Sequence, residues 1–429
     1  MALTLLSVSF LGFLVIGVPV AFAIGLASIS AILYEDLPVA VAFQQMTSGM
    51  NAFSFLAIPF FIFTGELMLY GGIADRIVNF ARSLVGHVRG GLGMSNVVAC
   101  TLFGGVSGSP VADVSAMGSV MIPMMKREGY HADYAVNVTT HAALVGALMP
   151  TSHNIIIYTL AAGGKVSIAA LIAAGLLPAL ILTVCNLAAA YFVARHRGYA
   201  AGAFPGWSIV LRSLLAALPG LFVVVVIIAG ILSGVFTATE SAAVAVIYAL
   251  ALTVLVYRTL TWTQFVRAAA KAVKTTGVVL LLIGISATFG YLISFYGVAE
   301  KTGDLLASIS TSPWAIFLMV NIVLFLLGTF LDMAATILIC TPIFLPICMQ
   351  YGMGPVQFGM VMLLNCALGL NTPPVGTTQF VGCAIGEVSV GAVMRTIWPF
   401  YGTLLAALAL VTYVPAFSLW LPGVLLGHG

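Results

Sequence analysis

Long apolar runs dominate this chain and leave little room for anything but membrane helices. A helix needs about 20 mainly apolar residues to cross the hydrocarbon core of a bilayer, and the runs suffice for about ten crossings. Charged residues make up 6% of the 429 residues, against about 25% in a water-soluble domain. The sequence therefore predicts an all-α polytopic membrane protein and excludes a water-soluble enzyme. The apolar runs occupy residues 3–34, 52–70, 91–125, 132–160, 168–194, 213–233, 236–257, 275–296, 313–349, 356–384 and 397–421.

The basic residues lie between these runs rather than in one patch. If the loops that carry them are cytoplasmic, thirteen of the 15 Lys and Arg residues lie on that side, as the positive-inside rule requires. Only Lys165 and Lys301 then lie outside. Because the charges sit at span ends, the net charge of +3 gives no indication of a nucleic-acid partner. The cytoplasmic groups are Arg76, Arg82 and Arg89; Lys126 and Arg127; Arg195, Arg197 and Arg212; Arg258, Arg267, Lys271 and Lys274; and Arg395.

Segment 91–125 has basic residues on both sides, so its chain leaves and re-enters the membrane at one face. Its middle, from Phe103 to Pro110, reads FGGVSGSP, which is typical of a turn rather than of a helix. Each half is shorter than the roughly 20 residues that a span needs. We therefore predict a re-entrant helical hairpin, whose turn must lie against protein or a water-filled cavity.

The second half of the chain repeats the first at a shift of 223 residues. The repeat predicts two halves, 1–200 and 213–429, joined by a cytoplasmic linker at 201–212. The charges make the halves antiparallel, since the counterpart of the first hairpin, 313–349, opens from the outside. Inverted repeats with paired hairpins are typical of secondary transporters. The matching pairs are Gly105 and Gly328, Pro123 and Pro346, Gly129 and Gly352, Gly146 and Gly369, and Pro150 and Pro373.

The repeat also bears on residues 3–34, which are too many for one ordinary span. Matching residues 3–16 to 220–233 divides this stretch into two spans and places the N-terminus outside. The prediction is then ten spans plus two hairpins. Nine spans with the N-terminus inside is the alternative.

Each hairpin is followed by a helix that proline and polar residues interrupt, at 132–160 and at 356–384. The interruptions are Pro150–Asn154 (PTSHN) and Asn371–Thr378 (NTPPVGTT). Proline frees backbone carbonyls, which need a partner at bilayer depth. A cation can be that partner, and the half-helix that begins at the break directs its positive end at an anion. We predict two functional breaks; kinks satisfied by neighbouring helices are the alternative.

Two acidic residues, Asp113 and Asp332, fall inside the hairpins. A carboxylate in the membrane costs about 2.5–3.5 kcal/mol or more, so such acids are functional candidates. Asp332 aligns with Ser109 near the hairpin tip, where it can ligate a hard cation. Asp113 is either functional or a cap of the returning helix. Glu66 and Glu240 lie close to span ends and are predicted to be interface or packing residues.

Residues Gly105–Gly108 (GVSG) fit the pattern around the nucleophile of rhomboid-type intramembrane proteases. Ser107 would be the nucleophile and His141 or His153 the base. The pattern is weak in a chain with 44 glycines, and an inverted repeat has no role in proteolysis. Hydrogen bonding at the broken helix is the preferred role for His153.

Five segments resemble the large membrane subunit of TRAP transporters, the DctM-like family of the ion-transporter superfamily. The resemblance covers essentially the whole chain. One departure is Pro150–Asn154, where many members have a Pro-Pro-Ser-type sequence. The matching segments are Gly118–Met125 (GSVMIPMM), Gly234–Glu240 (GVFTATE), Gly328–Asp332 (GTFLD), Thr341–Pro346 (TPIFLP) and Asn371–Gly376 (NTPPVG).

This resemblance implies a sodium-driven importer of an organic acid anion, such as a dicarboxylate or a sugar acid, in the bacterial inner membrane. It implies two partners, a small four-helix membrane subunit and a periplasmic substrate-binding protein. It also implies an elevator mechanism, in which hairpins and broken helices move as one body against a scaffold. A stand-alone transporter of the same superfamily is the alternative.

The sodium coupling that the resemblance implies predicts two symmetry-related sodium sites with oxygen ligands, which suit a hard cation. Proton coupling through Asp113 or Asp332 is the alternative. The first site would use Ser107, Ser109 and carbonyls of Pro150 and Thr151, and the second would use Gly328, Asp332, Asn371 and Thr372.

The anion is predicted to bind between the hairpin tips, where the half-helices beginning near Ser152 and Val375 direct unpaired amides at a carboxylate. Neither broken-helix interruption contains Lys or Arg, so amide dipoles and sodium are expected to balance the charge. The candidate residues are Ser107, Gly108, Ser109, Ser152, His153, Asn154, Val375, Gly376, Thr377 and Thr378.

Overall fold

The computed structural model describes residues 2–164 and 166–427, so Lys165, predicted on the outside, lies outside the described residues. Helices alone make up the regular structure of this part of the chain. Short 3₁₀ segments at Phe53–Leu56 and Leu144–Leu148 adjoin α4 and α8. The first ten helices are α1 (Ala2–Val15), α2 (Val20–Tyr34), α3 (Ala40–Met50), α4 (Ala57–Tyr70), α5 (Ile73–Val85), α6 (Gly91–Ser107), α7 (Pro110–Arg127), α8 (Ala132–Ala143), α9 (His153–Ala161) and α10 (Ile168–His196).

The remaining helices follow a non-helical stretch at 201–206. A π-helical segment, Leu252–Val256, extends α12. These helices are α11 (Trp207–Leu232), α12 (Ala238–Ala251), α13 (Trp262–Phe295), α14 (Val298–Ile309), α15 (Pro313–Phe330), α16 (Met333–Gln350), α17 (Pro355–Leu370), α18 (Thr377–Gly386), α19 (Val390–Met394), α20 (Trp398–Tyr413) and α21 (Ala416–Leu426).

Each predicted hairpin is a helix–turn–helix and each predicted broken helix is interrupted, while the re-entrant course of the hairpins in the membrane stays a prediction. The first hairpin is α6–α7, with its turn at residues 108–109, and the second is α15–α16, with its turn at 331–332. The first broken helix bends by 52° between Leu148 and His153, and the second is interrupted at 371–376. Seven helices in the described part are long and apolar enough to cross a membrane, or nine if each of two bent pairs is one span.

Residues 3–34 divide into α1 and α2, as the repeat predicted, although each helix is shorter than the roughly 20 residues of an ordinary span. The count of ten spans and the inverted orientation of the halves stay predictions. The series α5–α9 and α14–α18 have the same order of helix, hairpin and broken helix, which agrees with the proposed repeat.

Two sequence-based boundaries are wrong. The linker predicted at 201–212 is helical from Trp207 onward. Arg267, Lys271 and Lys274 were assigned to a loop, but they lie on the 34-residue helix α13. The apolar run 275–296 begins later than α13 itself, because the first turns of this helix carry the basic residues among alanines and valines.

The hairpins and broken helices interlock across the two halves of the chain. Helix α18 packs against α7 of the first hairpin, and α9 packs against α16 of the second hairpin. The amide of Asn137 on α8 donates to the carbonyl oxygen of Val393 at 3.1 Å and to the hydroxyl of Thr396 at 3.0 Å. These contacts bring both hairpin tips and both helix breaks into one region.

Candidate functional site

The first hairpin turns on a glycine and is fastened by a serine–aspartate pair. Gly108 has φ +63, a left-handed conformation that only glycine adopts readily. Ser109 then caps α7, its hydroxyl accepting from the amide of Ala112 at 3.5 Å. The hydroxyl of Ser107 donates to Oδ1 of Asp113 across the turn. Oδ2 of the fully buried Asp113 has no hydrogen-bond partner among the described residues. Ser109, not Asp113, is therefore the cap, and the capping alternative for Asp113 is wrong.

This tip is pressed against the break in the first broken helix. A Cβ added to Gly108 would lie 2.6 Å from the backbone nitrogen of Ser152. The hydroxyl of Thr151 donates to the carbonyl oxygen of Gly105 at 3.0 Å. The buried hydroxyl of Ser152 has no partner in the described part of the chain. The residues predicted for the first sodium site thus lie together, where the backbone of the hairpin tip touches the backbone of the helix break.

The second hairpin meets its own broken helix in a similar way. A Cβ on Gly369 would lie 2.9 Å from the Cα of Gly328, so the two helices touch at their backbones. The amide of Val375 donates to the carbonyl oxygen of Thr329 at 3.1 Å. Asp332 caps α16, with its Oδ2 accepting from the amide of Ala334 at 3.2 Å. Asp332 and Ser109, which the repeat aligns, therefore both cap the returning helix of their hairpin, while the cation-ligand role of Asp332 stays a prediction.

A tyrosine that the sequence analysis missed holds the second break. The hydroxyl of Tyr401 on α20 donates to the carbonyl oxygen of Asn371 at 2.8 Å and lies 2.9 Å from the hydroxyl of Thr372. The hydroxyl of Thr378 donates to the side-chain oxygen of Asn371. No motif signals Tyr401, because it contacts the break from 29 residues away.

A cavity of about 280 Å³ lies beside the first hairpin tip. Ser107, Ser109 and His153 line it together with Glu66 and Lys271. The structure therefore brings three predicted substrate residues onto one cavity.

The other predicted substrate residues do not line this cavity. Asn154 is 3% exposed, and Thr378 is fully buried in its contact with Asn371. Val375 is 41% exposed, and the buried hydroxyl of Thr377 has no partner within residues 2–164 and 166–427. Gly376 begins α18 with φ +30.

Two charged residues at the cavity were not assigned to the site by the sequence analysis. Glu66, predicted to be an interface or packing residue, is 6% exposed within α4 and forms an ion pair, with its Oε1 2.7 Å from Nζ of Lys271. Lys271, which the sequence analysis assigned to a loop, also lines the cavity, so a basic side chain lies beside three of the predicted substrate residues. Glu240 does lie at a span end, where its carboxylate accepts from the amide of Thr237 at 2.8 Å.

The serine and histidine residues do not form a catalytic pair. Ser107 donates to Asp113, and the Nδ1 atom of His141 lies 2.8 Å from the carbonyl oxygen of Asn137. The ring of His141 packs on Phe400 and Tyr401 instead. Among the described residues neither His141 nor His153 forms a hydrogen bond with Ser107, so neither histidine activates this serine.

The fold and site define a polytopic membrane permease with two helical hairpins whose tips meet two interrupted helices. The family profile described as "Tripartite ATP-independent periplasmic transporter, DctM component" matches residues 7–417. The chain belongs to this family, and it is a transporter component rather than an enzyme.

Named relatives support this family assignment. The chain is 37% identical over 420 residues to the sialic acid TRAP transporter large permease of Vibrio cholerae, covering 98% of each chain. It is 33% identical over 426 residues to the C4-dicarboxylate TRAP transporter large permease of Rhodobacter capsulatus, covering 95% of this chain and 96% of that one.

A solved structure shares the fold. The YdaH transporter of Alcanivorax borkumensis, described as having an unusual topology, aligns with a TM-score of 0.61 at 14% identity. The alignment covers 88% of this chain and 89% of that one.

Proposed function

We propose that this chain is the large subunit of a sodium-coupled importer of an organic acid anion in the bacterial inner membrane. The observation that carries the proposal is the paired contact of each hairpin tip with a helix break. Family membership makes the chain one component of a tripartite transporter. The relatives named for sialic acid and C4-dicarboxylates support a carboxylate as the transported group.

Sodium coupling is supported by the chemistry of the two contacts. Hard cations prefer carboxylate, hydroxyl and carbonyl oxygens, which Ser107, Ser109, Thr151 and neighbouring carbonyls offer at the first contact. Gly328, Asp332, Asn371 and Thr372 offer them at the second. The buried, unpartnered Oδ2 of Asp113 and hydroxyl of Ser152 are further oxygens near the first contact.

The anion binds in the cavity beside Ser107, Ser109 and His153, and the interlocked hairpins and broken helices carry it across as one body. This movement is the elevator mechanism that the family resemblance implies. A periplasmic binding protein delivers the anion, and a small four-helix membrane subunit completes the transporter.

The test is uptake into proteoliposomes that contain the chain with both partners. Radiolabelled succinate and sialic acid are supplied in turn, with an inward sodium gradient or an inward proton gradient. We expect uptake of one acid that requires both sodium and the binding protein. Uptake that persists in a proton gradient without sodium would refute sodium coupling, and uptake by the chain alone would favour the stand-alone alternative.

A further inference from the structure

The wall of the cavity that faces the first hairpin tip is built by α4 and α13. Gly65 on α4 lets this wall approach closely, because a Cβ added there would lie 3.3 Å from the Cα of Ser107. The next residue along α4 is Glu66, and Lys271 and Thr275 on α13 also line the cavity. A charged pair therefore faces the serines of the tip across a narrow space.

The two members of this pair are buried to very different degrees. The Glu66 side chain is 7% exposed, whereas that of Lys271 is 48% exposed. An ammonium group has three donors, and among the described residues only Glu66 accepts from Lys271. Lys271 thus presents unused donors and a positive charge to the cavity.

We infer that the ammonium of Lys271 is the anion subsite of this cavity and binds the carboxylate of the transported acid. Glu66 is its internal counter-ion when no acid is bound. The inference rests on the proposed function and adds a residue that determines its substrate class. Amides and hydroxyls of the hairpin tip and the His153 region bind the rest of the acid.

Glu66 also gives the site a means of release. Its carboxylate competes with the substrate carboxylate for one ammonium, so the acid is held less tightly than it would be by an unpaired lysine. Lys271 lies between Arg267 and Lys274, at the end of α13 that the positive-inside rule places toward the cytoplasm. Competition at this position favours discharge of the acid into the cell.

The experiment measures anion binding by the detergent-purified membrane complex, as the shift in its thermal stability with added succinate or sialic acid at saturating sodium. K271Q should weaken the apparent affinity by about tenfold or more, because it removes a charge-assisted contact. K271R should keep most of it. K274Q is the matched control, since Lys274 is exposed on the same helix and does not line the cavity. E66Q should tighten binding.

The double variant E66Q/K271Q tests whether Lys271 binds the acid or only forms a structural ion pair with Glu66. K271Q alone leaves a buried carboxylate unpaired, which can unfold the protein; the double variant does not. If Lys271 binds the acid, the double variant stays as weak as K271Q. Wild-type affinity in the double variant, or equal affinity in K271Q and K274Q, would overturn the inference alone. A wild-type complex that binds neither acid would contradict the proposed function, and this inference with it.

Discussion

At the scale of single residues, the Ser107–Asp113 pair is expected to be sensitive to substitution. Asp113 is fully buried, and its carboxylate has one hydrogen-bond donor within the described part of the chain, the hydroxyl of Ser107. A buried charge without a partner is costly, so the serine supports the acid as well as the tip.

Ser107→Ala should destabilise the protein by about 1–3 kcal/mol, because it leaves the Asp113 carboxylate without its donor. The measurement is thermal unfolding of the purified protein in detergent. Ser115→Ala is the control: Ser115 lines the same cavity but bonds only the carbonyl oxygen of Val111 on its own helix, at 2.9 Å. Equal melting of the two variants would contradict a supporting role for Ser107.

The residue scale also shows where sequence reasoning ends. The turn at Gly108 was predictable, because turns depend on residues next to one another, whereas Ser109 and Asp332 were predicted as cation ligands and not as caps. Lys271 and Tyr401 were not predictable, because each reaches the site from a helix distant in sequence. The ion pair of Glu66 was not predicted for the same reason: its partner is 205 positions away, and nothing local indicates burial.

At the scale of elements, the contact between a hairpin tip and a helix break depends on glycine for two separate reasons. Gly108 has a left-handed backbone, and its missing side chain leaves room for the backbone of Thr151 and Ser152. Gly129, at the other end of α7, has φ +84 with nothing within 4 Å of an added Cβ. Comparing substitutions at the two positions therefore separates the cost of backbone strain from the cost of a close contact.

Gly108→Ala should destabilise the protein more than Gly129→Ala. Both substitutions place alanine in the left-handed region, at about 1–2 kcal/mol, and only the first adds a clash, worth about 1–3 kcal/mol more. Thermal unfolding and sodium-driven uptake are both measured. We expect uptake to fall in Gly108→Ala alone; comparable effects in the two variants would mean that the tip is not in tight contact with the break.

Element bounds were predicted closely where the sequence marks both ends of a helix. Proline and glycine punctuate the hairpins and breaks, so 91–125 and 313–349 differ from the observed helices by only one or two residues at an end. Helices α3, α5 and α14 were missed because they are too polar or too short to register as apolar runs.

At the scale of the whole molecule, the two halves are held together by polar contacts inside the core. Asn137 is fully buried and bonds to Val393 and Thr396 from the other half of the chain. Such a contact depends on both partners, since each polar group left alone in the interior loses its hydrogen bonds to water.

Asn137→Ala should lower the free energy of unfolding by about 1–3 kcal/mol, because it removes both hydrogen bonds that this buried amide donates, one to the Val393 carbonyl and one to the Thr396 hydroxyl. Thr396→Val should cost less, since the amide of Asn137 keeps its bond to that carbonyl. The two variants are compared by thermal unfolding in detergent. An Asn137→Ala protein as stable as Thr396→Val would show that this contact does not join the halves.

The exchange of helices between the halves constrains how the protein is made. The ribosome completes the hairpin Gly91–Arg127 about 250 residues before it begins α18, the helix that packs on it. The Asp113 carboxylate therefore enters the bilayer while part of its eventual enclosure is still unsynthesised. The incomplete polar core must therefore be sheltered until translation nears its end, and termination between α10 and α18 leaves that core open.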